Sequence, residues 1–317
     1  MAARAIHVFS PHAPRFAALI AARAPERDLV LLRERAELDA CLGRVRVLFA
    51  PFPPSEGWGP AARLELLQLC GVGVDHFLPS PDLPASVEIA GMRGAMAPDV
   101  AEHAMLMLLA LTRDLPHFAE AQRQRVFEQR MVPRLRGAKL AIVGFGSIGR
   151  ALAARARGFG VRVRGLRRHP GAASPPAGVE EVVPPAGLHE LLAWCDAVVV
   201  CTPRTAETRG SIGAEALNQL HDGAILINVA RGGIVHEGPL LDRLRAGTLR
   251  AALDVFEDEP LDETSPFWDA PNTIVTPHVA GYGEGYLERS VELLLDNVAR
   301  LERGEPREGL VDRALGY

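Results

Sequence analysis

The feature that most constrains the fold is residues 139–149, which read KLAIVGFGSIG: an apolar run followed by a glycine-rich turn. The apolar run is typical of a buried parallel strand, the Ala-rich residues 150–160 favour a helix, and residues 161–166 favour a second strand. A G-x-G-x-x-G turn needs this strand–helix–strand context, within about thirty residues, to indicate dinucleotide binding. The predicted cofactor-binding turn consists of Gly144, Phe145, Gly146, Ser147, Ile148 and Gly149.

The composition is ordinary for a folded chain, with 48% hydrophobic and 23% charged residues over 317 positions and a net charge of −4. The length predicts about two domains. No basic block indicates a nucleic-acid partner, and the longest apolar run, residues 104–111, is too short to cross a membrane. The N-terminus lacks a signal-peptide core and the four cysteines lack metal-binding spacing. We therefore expect a cytoplasmic protein with reduced thiols and no metal site.

Strand-like and helix-like segments alternate along most of the chain. Before residue 93 they predict a small α/β domain with a parallel sheet, although residues 62–75 fit either a helix or a strand. After the glycine turn, the alternation is typical of a doubly wound sheet. A long, largely buried helix is predicted after Pro98, residues 120–137 are predicted as a charged connection, and an amphipathic helix ends at Gly304.

The end of the second strand indicates which nucleotide binds. A site that prefers NAD usually carries an Asp or Glu about twenty residues past the glycine turn, bound to the ribose 2′-hydroxyl. This chain has Arg167 and Arg168 there, and no acid in residues 165–170. Guanidinium groups form bidentate hydrogen bonds with phosphate, so the sequence predicts NADP(H) in preference to NAD(H). The alternative is that both arginines are solvated loop residues.

Three chemically complementary side chains follow predicted strands in the second half of the chain, where a doubly wound sheet forms its ligand site. Near a nicotinamide they suggest carbonyl reduction. Arg231 could bind a substrate carboxylate, His278 could donate a proton to the carbonyl oxygen, and Glu259 could hydrogen-bond the imidazole. Each has a structural alternative when taken singly, as a strand cap, a core histidine or a solvated acid. Together they favour a catalytic site.

Six segments, in this order and spacing, resemble the D-isomer-specific 2-hydroxyacid dehydrogenases: GVGVD (71–75), VAEHAM (100–105), GFGSIG (144–149), INVARGGIV (227–235), ALDVFEDEP (252–260) and TPHVAG (276–281). The resemblance implies the α/β class, with two Rossmann-like doubly wound parallel-sheet domains and a cleft between them. Residues 1–94 with 283–317 would form the substrate-binding domain, and residues 95–282 the dinucleotide-binding domain.

The same resemblance implies the roles of individual residues. Arg231, Glu259 and His278 would be catalytic, and the backbone of Val72 and Gly73 would bind the substrate carboxylate. Further cofactor-binding positions implied by the resemblance are Thr202, Pro203, Val229, Ala230, Asp254, Ala280 and Gly281. It also implies a small 2-keto or 2-hydroxy acid as substrate, and a homodimer built partly on the helix after Pro98.

Two features distinguish this chain within the family pattern. Arg167 replaces the NAD-type acid, as in members similar to NADPH-dependent glyoxylate and hydroxypyruvate reductases, and residues 91–96 read GMRGAM where the family often has an Asn-x-Pro-Gly-x-Asn run. The leading interpretation is a reductase of small 2-keto acids. An NAD-linked biosynthetic dehydrogenase of the phosphoglycerate type fits less well, since an arginine replaces the acid and no regulatory domain follows Tyr317. A nucleotide-sensing, corepressor-like binding protein without turnover stays open, because such proteins carry the same three residues.

Overall fold

The structure is a computed structural model that describes residues 5–171 and 174–317. The chain divides into two compact units, unit 1 (Met1–Met96 and Glu284–Tyr317) and unit 2 (Ala97–Gly283). Each unit contains a parallel sheet with helices, so the predicted α/β class with two sheet domains is confirmed. In the described part of the chain, no helix has the length and apolar character needed to span a membrane.

Unit 1 is built on a five-stranded parallel sheet of order β2-β1-β3-β4-β5. Its elements up to residue 96 are β1 (Ile6–Phe9), α1 (Ala13–Arg23), β2 (Leu29–Leu32), α2 (Arg35–Cys41), β3 (Val47–Ala50), β4 (Leu66–Leu69) and β5 (Glu88–Ala90). The segment that the sequence left open between helix and strand contains β4, whose four residues are all buried. A strand covered on both faces loses the polar alternation that would identify it from sequence.

Unit 2 is built on a seven-stranded parallel sheet of order β12-β11-β10-β9-β6-β7-β8. Its elements are α3 (Ala97–Thr112), α4 (Leu115–Gln124), β6 (Lys139–Val143), α5 (Ser147–Arg157), β7 (Arg162–Leu166), β8 (Val179–Val183), α6 (Leu188–Trp194), β9 (Ala197–Val200), α7 (Ala214–Leu217), β10 (Ala224–Asn228), α8 (Glu237–Arg245), β11 (Leu249–Leu253) and β12 (Thr273–Val275). The strand order reverses between β6 and β9, which is the switch point where doubly wound sheets bind ligands.

Two elements of unit 2 differ from the sequence prediction. Helix α4 occupies part of the stretch predicted as a charged connection; half of its ten residues are polar and only Ala121 is buried. Strand β8 was not predicted. It reads VEEVV at the edge of the sheet and exposes Glu180 and Glu181, so it lacks the apolar character of the other strands.

The strand register brings the ends of the unit 2 strands to one edge. Val143 of β6 pairs with Leu166 of β7 and with Val200 of β9. Val200 pairs with Asn228 of β10, and the register continues across β11 to Val275 of β12. The residues that follow these strands, among them the glycine turn and the positions predicted as catalytic, therefore emerge along the same edge of the sheet.

The last helix, α9 (Tyr286–Arg303), belongs to unit 1. Val291, Leu294 and Val298 on one face are fully buried in a core that also contains Phe16 of α1. The helix ends at Gly304, whose φ of +70° is the left-handed conformation typical of a helix C-terminus. The amphipathic helix predicted to end at this glycine is confirmed.

Candidate active site

The glycine turn has the shape that a dinucleotide pyrophosphate requires. Gly144 has a φ of +103°, and a Cβ at this position would lie 2.4 Å from the backbone nitrogen of Thr202. A Cβ on Gly149 would lie 2.7 Å from the carbonyl oxygen of Gly144. At Gly146, apart from its own chain neighbours, no heavy atom of the described residues lies within 4 Å of the Cβ position. The backbone is therefore open to approach just where α5 begins at Ser147. The first amides of a helix have no intrahelical acceptor, so this turn fits a bound phosphate.

Phe145 has a different role from its neighbours in this turn. Its side chain is buried, packs against the backbone of Gly165, and lies under the guanidinium of Arg150 at 5.5 Å. A contact of Phe145 with a nucleotide would therefore come from its backbone. Its side chain holds the glycine turn against the neighbouring strand β7.

The predicted 2′-phosphate site lies at the end of β7. Arg167 is exposed, and its backbone amide donates a hydrogen bond to the Val183 carbonyl at 3.1 Å. Arg168 is more enclosed: its Nη2 atom lies 2.5 Å from a carboxylate oxygen of Glu207, in the loop that follows β9. Thr205 and Thr208 hydrogen-bond each other across this loop, which fixes its turn next to Arg168. The structure thus adds an acid that was not considered in the sequence prediction.

Arg231 is placed by a buried asparagine and by a close approach of two backbones. Asn228, at the end of β10, accepts a hydrogen bond from the Ala230 amide and donates one to the carbonyl of Arg231, both at 3.1 Å. A Cβ on Gly232 would lie 1.8 Å from the carbonyl oxygen of Phe256, so only glycine fits here. These contacts bring the arginine to the segment that carries Glu259.

Glu259 and His278 form the central pair of the site. The Nδ1 atom of His278 lies 2.7 Å from Oε2 of Glu259, and Oε1 of Glu259 accepts a hydrogen bond from the Phe256 amide at 3.0 Å. Burial raises the pKa of Glu259. The hydrogen bonds from His278 and Phe256, with the charges of His278 and Arg231, outweigh this and bring the pKa below its usual value. A carboxylate therefore orients the imidazole through Nδ1, and Nε2 is the atom left to face a substrate.

Asp254 follows β11 and lies behind this pair. Its side chain is 1% exposed, and its oxygens accept hydrogen bonds from the Val279 and Ala280 amides, each at 2.9 Å, and from the Thr276 hydroxyl at 2.6 Å. The carboxylate thus binds the turn that follows His278. Its predicted part in holding the nicotinamide stays a prediction.

The other predicted cofactor positions also lie at the sheet edge, directly after strands or in the turn around Asp254. They are Thr202 and Pro203 after β9, Val229 and Ala230 after β10, and Ala280 and Gly281 in the turn. Val72 and Gly73 belong to unit 1, where they follow β4. Their loop is fixed by hydrogen bonds from Tyr286 to the Cys70 carbonyl and from Met92 to the Gly71 carbonyl.

Three residues of this site were not assigned a role from the sequence. Asn228 places Arg231, while His103 and Thr276 form a hydrogen bond of 3.2 Å beside Asp254. A buried asparagine at the end of an apolar strand is a signal that could have identified Asn228. His103 and Thr276 lie in segments that carried the family resemblance, but only the packing of α3 against the sheet brings the two side chains together. Within the described ranges, no group of three His, Cys, Asp or Glu residues could hold a metal ion.

The chain has sequence similarity to known dehydrogenases over most of its length. Residues 105–280 match the family model of the D-isomer specific 2-hydroxyacid dehydrogenase, NAD binding domain. The glyoxylate/hydroxypyruvate reductase A of Serratia proteamaculans is 31% identical over 275 residues, which cover 84% of this chain and 85% of that protein. The D-3-phosphoglycerate dehydrogenase of Mycobacterium bovis is 32% identical over 261 residues; these cover 81% of this chain, but the chain spans only 46% of that relative.

The fold comparison extends over the whole chain. The crystal structure of a D-isomer specific 2-hydroxyacid dehydrogenase from Xanthobacter autotrophicus Py2, in complex with NADPH and MES, superposes with a TM-score of 0.88 at 32% identity and covers 100% of both chains. The family resemblance inferred from the six sequence segments is thereby confirmed. On its sequence match, its two parallel-sheet units and its similarity to these relatives, the chain belongs to the D-isomer-specific 2-hydroxyacid dehydrogenase family.

Proposed function

We propose that this protein reduces a small 2-keto acid to the D-2-hydroxy acid with NADPH. The observation that carries the proposal is the pairing of His278 with Glu259 at 2.7 Å, on the sheet edge that also carries Arg231 and the glycine turn. A carboxylate-oriented imidazole is a suitable proton donor, and general acid catalysis needs a donor held in this way. The glyoxylate/hydroxypyruvate reductase relative supports a small keto acid as substrate.

Each group has a defined part in the proposed reaction. Bound NADPH supplies a hydride, which forms the new C–H bond at the carbonyl carbon. His278 gives the proton from Nε2 to the carbonyl oxygen as the C=O double bond becomes a single bond. Glu259 stabilises the imidazolium and keeps Nε2 directed at the oxygen. Arg231 binds the substrate carboxylate through its guanidinium.

The preference for NADPH is part of the same proposal. Arg167 and Arg168 stand at the end of β7, where a guanidinium can bind the 2′-phosphate and where no carboxylate of residues 165–170 would compete for the ribose hydroxyl. The Xanthobacter autotrophicus structure contains NADPH, which supports this assignment. A protein that oxidises NADH as efficiently as NADPH would contradict it.

The test measures the loss of absorbance of NADPH and of NADH in parallel assays. The keto acids are glyoxylate, hydroxypyruvate, pyruvate and an aryl pyruvate. We expect NADPH to be oxidised with at least one small keto acid, and NADH to be much poorer. An Arg231→Ala variant should have a lower kcat and a higher KM for the keto acid. The matched control is Arg209→Ala, since Arg209 is an exposed arginine beside Glu257. Nucleotide binding without turnover on any acid would instead favour the sensor alternative.

We also propose that two copies of the chain associate through unit 2. Leu106 on α3 is 56% exposed, and Phe127 and Met131, in the segment after α4, are 95% and 97% exposed. Leu106 lines an open groove of about 560 Å³ with Phe159, Val279 and Tyr282, and a second copy would supply the apolar side chains to fill it. Sedimentation equilibrium should give a dimer. Phe127→Asp with Met131→Asp should give a monomer, and Phe52→Asp, at an exposed position in unit 1, should not.

A further inference from the structure

We propose that His103 and Thr276 are positioning residues of the reduction. They act through Asp254 and hold the backbone turn that presents His278. The inference rests on the proposed function, because a positioning effect on rate requires that the reaction occurs. It assigns a part in the reaction to helix α3, which contributes none of the predicted catalytic side chains.

The backbone at His278 needs external support. Its φ is +53°, in the left-handed region that residues with a Cβ adopt rarely and only where the surroundings impose it. Its amide donates hydrogen bonds to the carbonyl oxygens of Asp254 at 2.8 Å and Thr276 at 3.1 Å. The direction of the imidazole depends on this conformation, since φ and ψ set where the side chain leaves the chain.

The support comes from the Asp254 carboxylate, which the turn surrounds. Oδ1 accepts from the Val279 amide and from the Thr276 hydroxyl, and Oδ2 accepts from the Ala280 amide. The carboxylate thus joins the residue two before His278 to the two residues after it. No group in this arrangement needs to touch a substrate, so its effect on the reaction would pass through His278.

His103 completes the arrangement from α3. Its Nε2 atom lies 3.2 Å from the Thr276 hydroxyl oxygen and 3.6 Å from Oδ1 of Asp254. The single hydroxyl proton of Thr276 is used in the 2.6 Å bond to the carboxylate, so Nε2–H of His103 must be the donor to the hydroxyl oxygen. Most of α3 is buried in the core of unit 2, so His103 fixes Thr276 and Asp254 to a rigid element.

The consequence concerns alignment rather than binding. Glu259 is held by the Phe256 amide, independently of the turn. If the turn loosens, the imidazole moves relative to Glu259 while every group that touches substrate or nucleotide is still present. Displacements of about 1 Å can lower a rate by about 100-fold, so the expected effect falls on kcat rather than on KM.

The first experiment compares matched variants at the two positions. Thr276→Val removes the hydroxyl and keeps the shape, whereas Thr276→Ser keeps the hydroxyl. His103→Leu removes the donor, whereas His103→Gln can place an N–H where Nε2 stood. We expect Thr276→Val and His103→Leu to lower kcat by roughly 10- to 100-fold, with the keto-acid KM changed by less than about 2-fold. Thr276→Ser and His103→Gln should retain most of the wild-type kcat. Equal losses in Thr276→Ser and Thr276→Val would overturn the proposal.

The second experiment separates positioning from a general structural role. In a His278→Ala background, Thr276→Val should lower the residual kcat by no more than about 2-fold, because residues that act as one unit are non-additive. A structural role would lower activity by the same factor in both backgrounds, and that result would contradict the proposal. Melting temperatures of all variants show whether any loss is due to unfolding.

A third readout does not depend on turnover. Histidine labelled with ¹³C at Cε1 gives one NMR signal per imidazole, and His278→Ala assigns the signal of His278. Thr276→Val should shift this signal while those of the half-buried His117 and the exposed His221 stay in place, and Thr276→Ser should shift it little. If the wild type reduces no keto acid, the proposed function fails while this measurement still tests the turn. An unchanged His278 signal in Thr276→Val would overturn the positioning role.

Discussion

The nucleotide turn (residues 144–149) and the histidine turn (residues 276–280) lie along the same edge of the unit 2 sheet, but they are built in different ways. The nucleotide turn is shaped by the absence of side chains: Cβ atoms at Gly144 and Gly149 would meet backbone atoms at 2.4 and 2.7 Å. The histidine turn is shaped by side chains, because Asp254 binds two of its amides and one hydroxyl. The first is therefore a property of a short stretch of sequence, and the second is a property of the assembled sheet.

This difference predicts how each turn responds to substitution. A turn held by steric exclusion should fail when a methyl group is added and should be insensitive to pH. A turn held by hydrogen bonds should fail when a donor or acceptor is removed.

Removal of the His278 imidazole should have the largest effect. We expect His278→Ala to lower kcat by about 10²–10⁴-fold, because general acid catalysis contributes that much, while NADPH binding stays nearly unchanged. Steady-state kinetics and titration of NADPH fluorescence measure the two quantities. The matched control is His117→Ala, which removes a histidine paired with Glu128 at 3.2 Å on the surface of the same unit. Near-full activity of His278→Ala would show that another group supplies the proton.

Methyl groups added to the nucleotide turn should separate folding from binding. Gly144→Ala forces a Cβ against the backbone of Thr202 at a φ of +103°, so we expect it to lower the free energy of unfolding by more than about 1 kcal/mol and to abolish nucleotide binding. Gly146→Ala has open space around the new methyl group, so it should fold normally but bind NADPH roughly 10-fold more weakly. Chemical denaturation and fluorescence titration give both values. A Gly146→Ala variant that binds normally would place the pyrophosphate elsewhere.

The same contrast explains what the sequence could predict. The glycine turn was predicted together with its flanking strand and helix, because a contiguous motif determines its geometry. Most strands and helices followed from apolar periodicity, and strand β8 did not, since its two central glutamates are exposed at a sheet edge. Arg231, Glu259 and His278 were predicted from their positions after strands, and the structure brings Glu259 and His278 into direct contact.

Contacts between distant segments could not be predicted in this way. His103 meets Thr276, and Arg168 meets Glu207, only after the strands adopt their register and the loops their conformation. Neither pair has a local signal, because a threonine after a strand or a glutamate in a loop is ordinary on its own. The supporting hydrogen bonds around predicted site residues therefore depend on tertiary packing.

If Arg168 binds the 2′-phosphate as proposed, substitutions in the Arg168–Glu207 pair should change nucleotide preference, and the expected effects are smaller. Arg168→Ala should weaken NADPH binding by about 10-fold or more and leave NADH binding nearly unchanged, because a hydrogen bond to the 2′-phosphate is lost. The Glu207 side chain is 70% exposed and would compete with the 2′-phosphate for the Arg168 guanidinium, so Glu207→Gln should tighten NADPH binding by about 2- to 5-fold. Arg209→Ala, in the same loop, is the control. Equal changes for both nucleotides would show that Arg168 does not read the phosphate.

The smallest effect is the pH dependence of the stability that the Glu259–His278 pair contributes. In the folded protein the pKa of Glu259 lies below its usual value of 4.5: burial opposes this, but the hydrogen bonds from His278 and Phe256 outweigh it. The contribution of Glu259 to stability is therefore present above that value and is lost as the pH falls through the lowered pKa. The melting temperature of the wild type should exceed that of Glu259→Gln most clearly above about pH 5, and the difference should close as the pH falls further. Glu263→Gln, an exposed acid nearby, should show no such convergence, and if Glu259→Gln runs parallel to the wild type at every pH, the charge of Glu259 does not stabilise its pairing with His278.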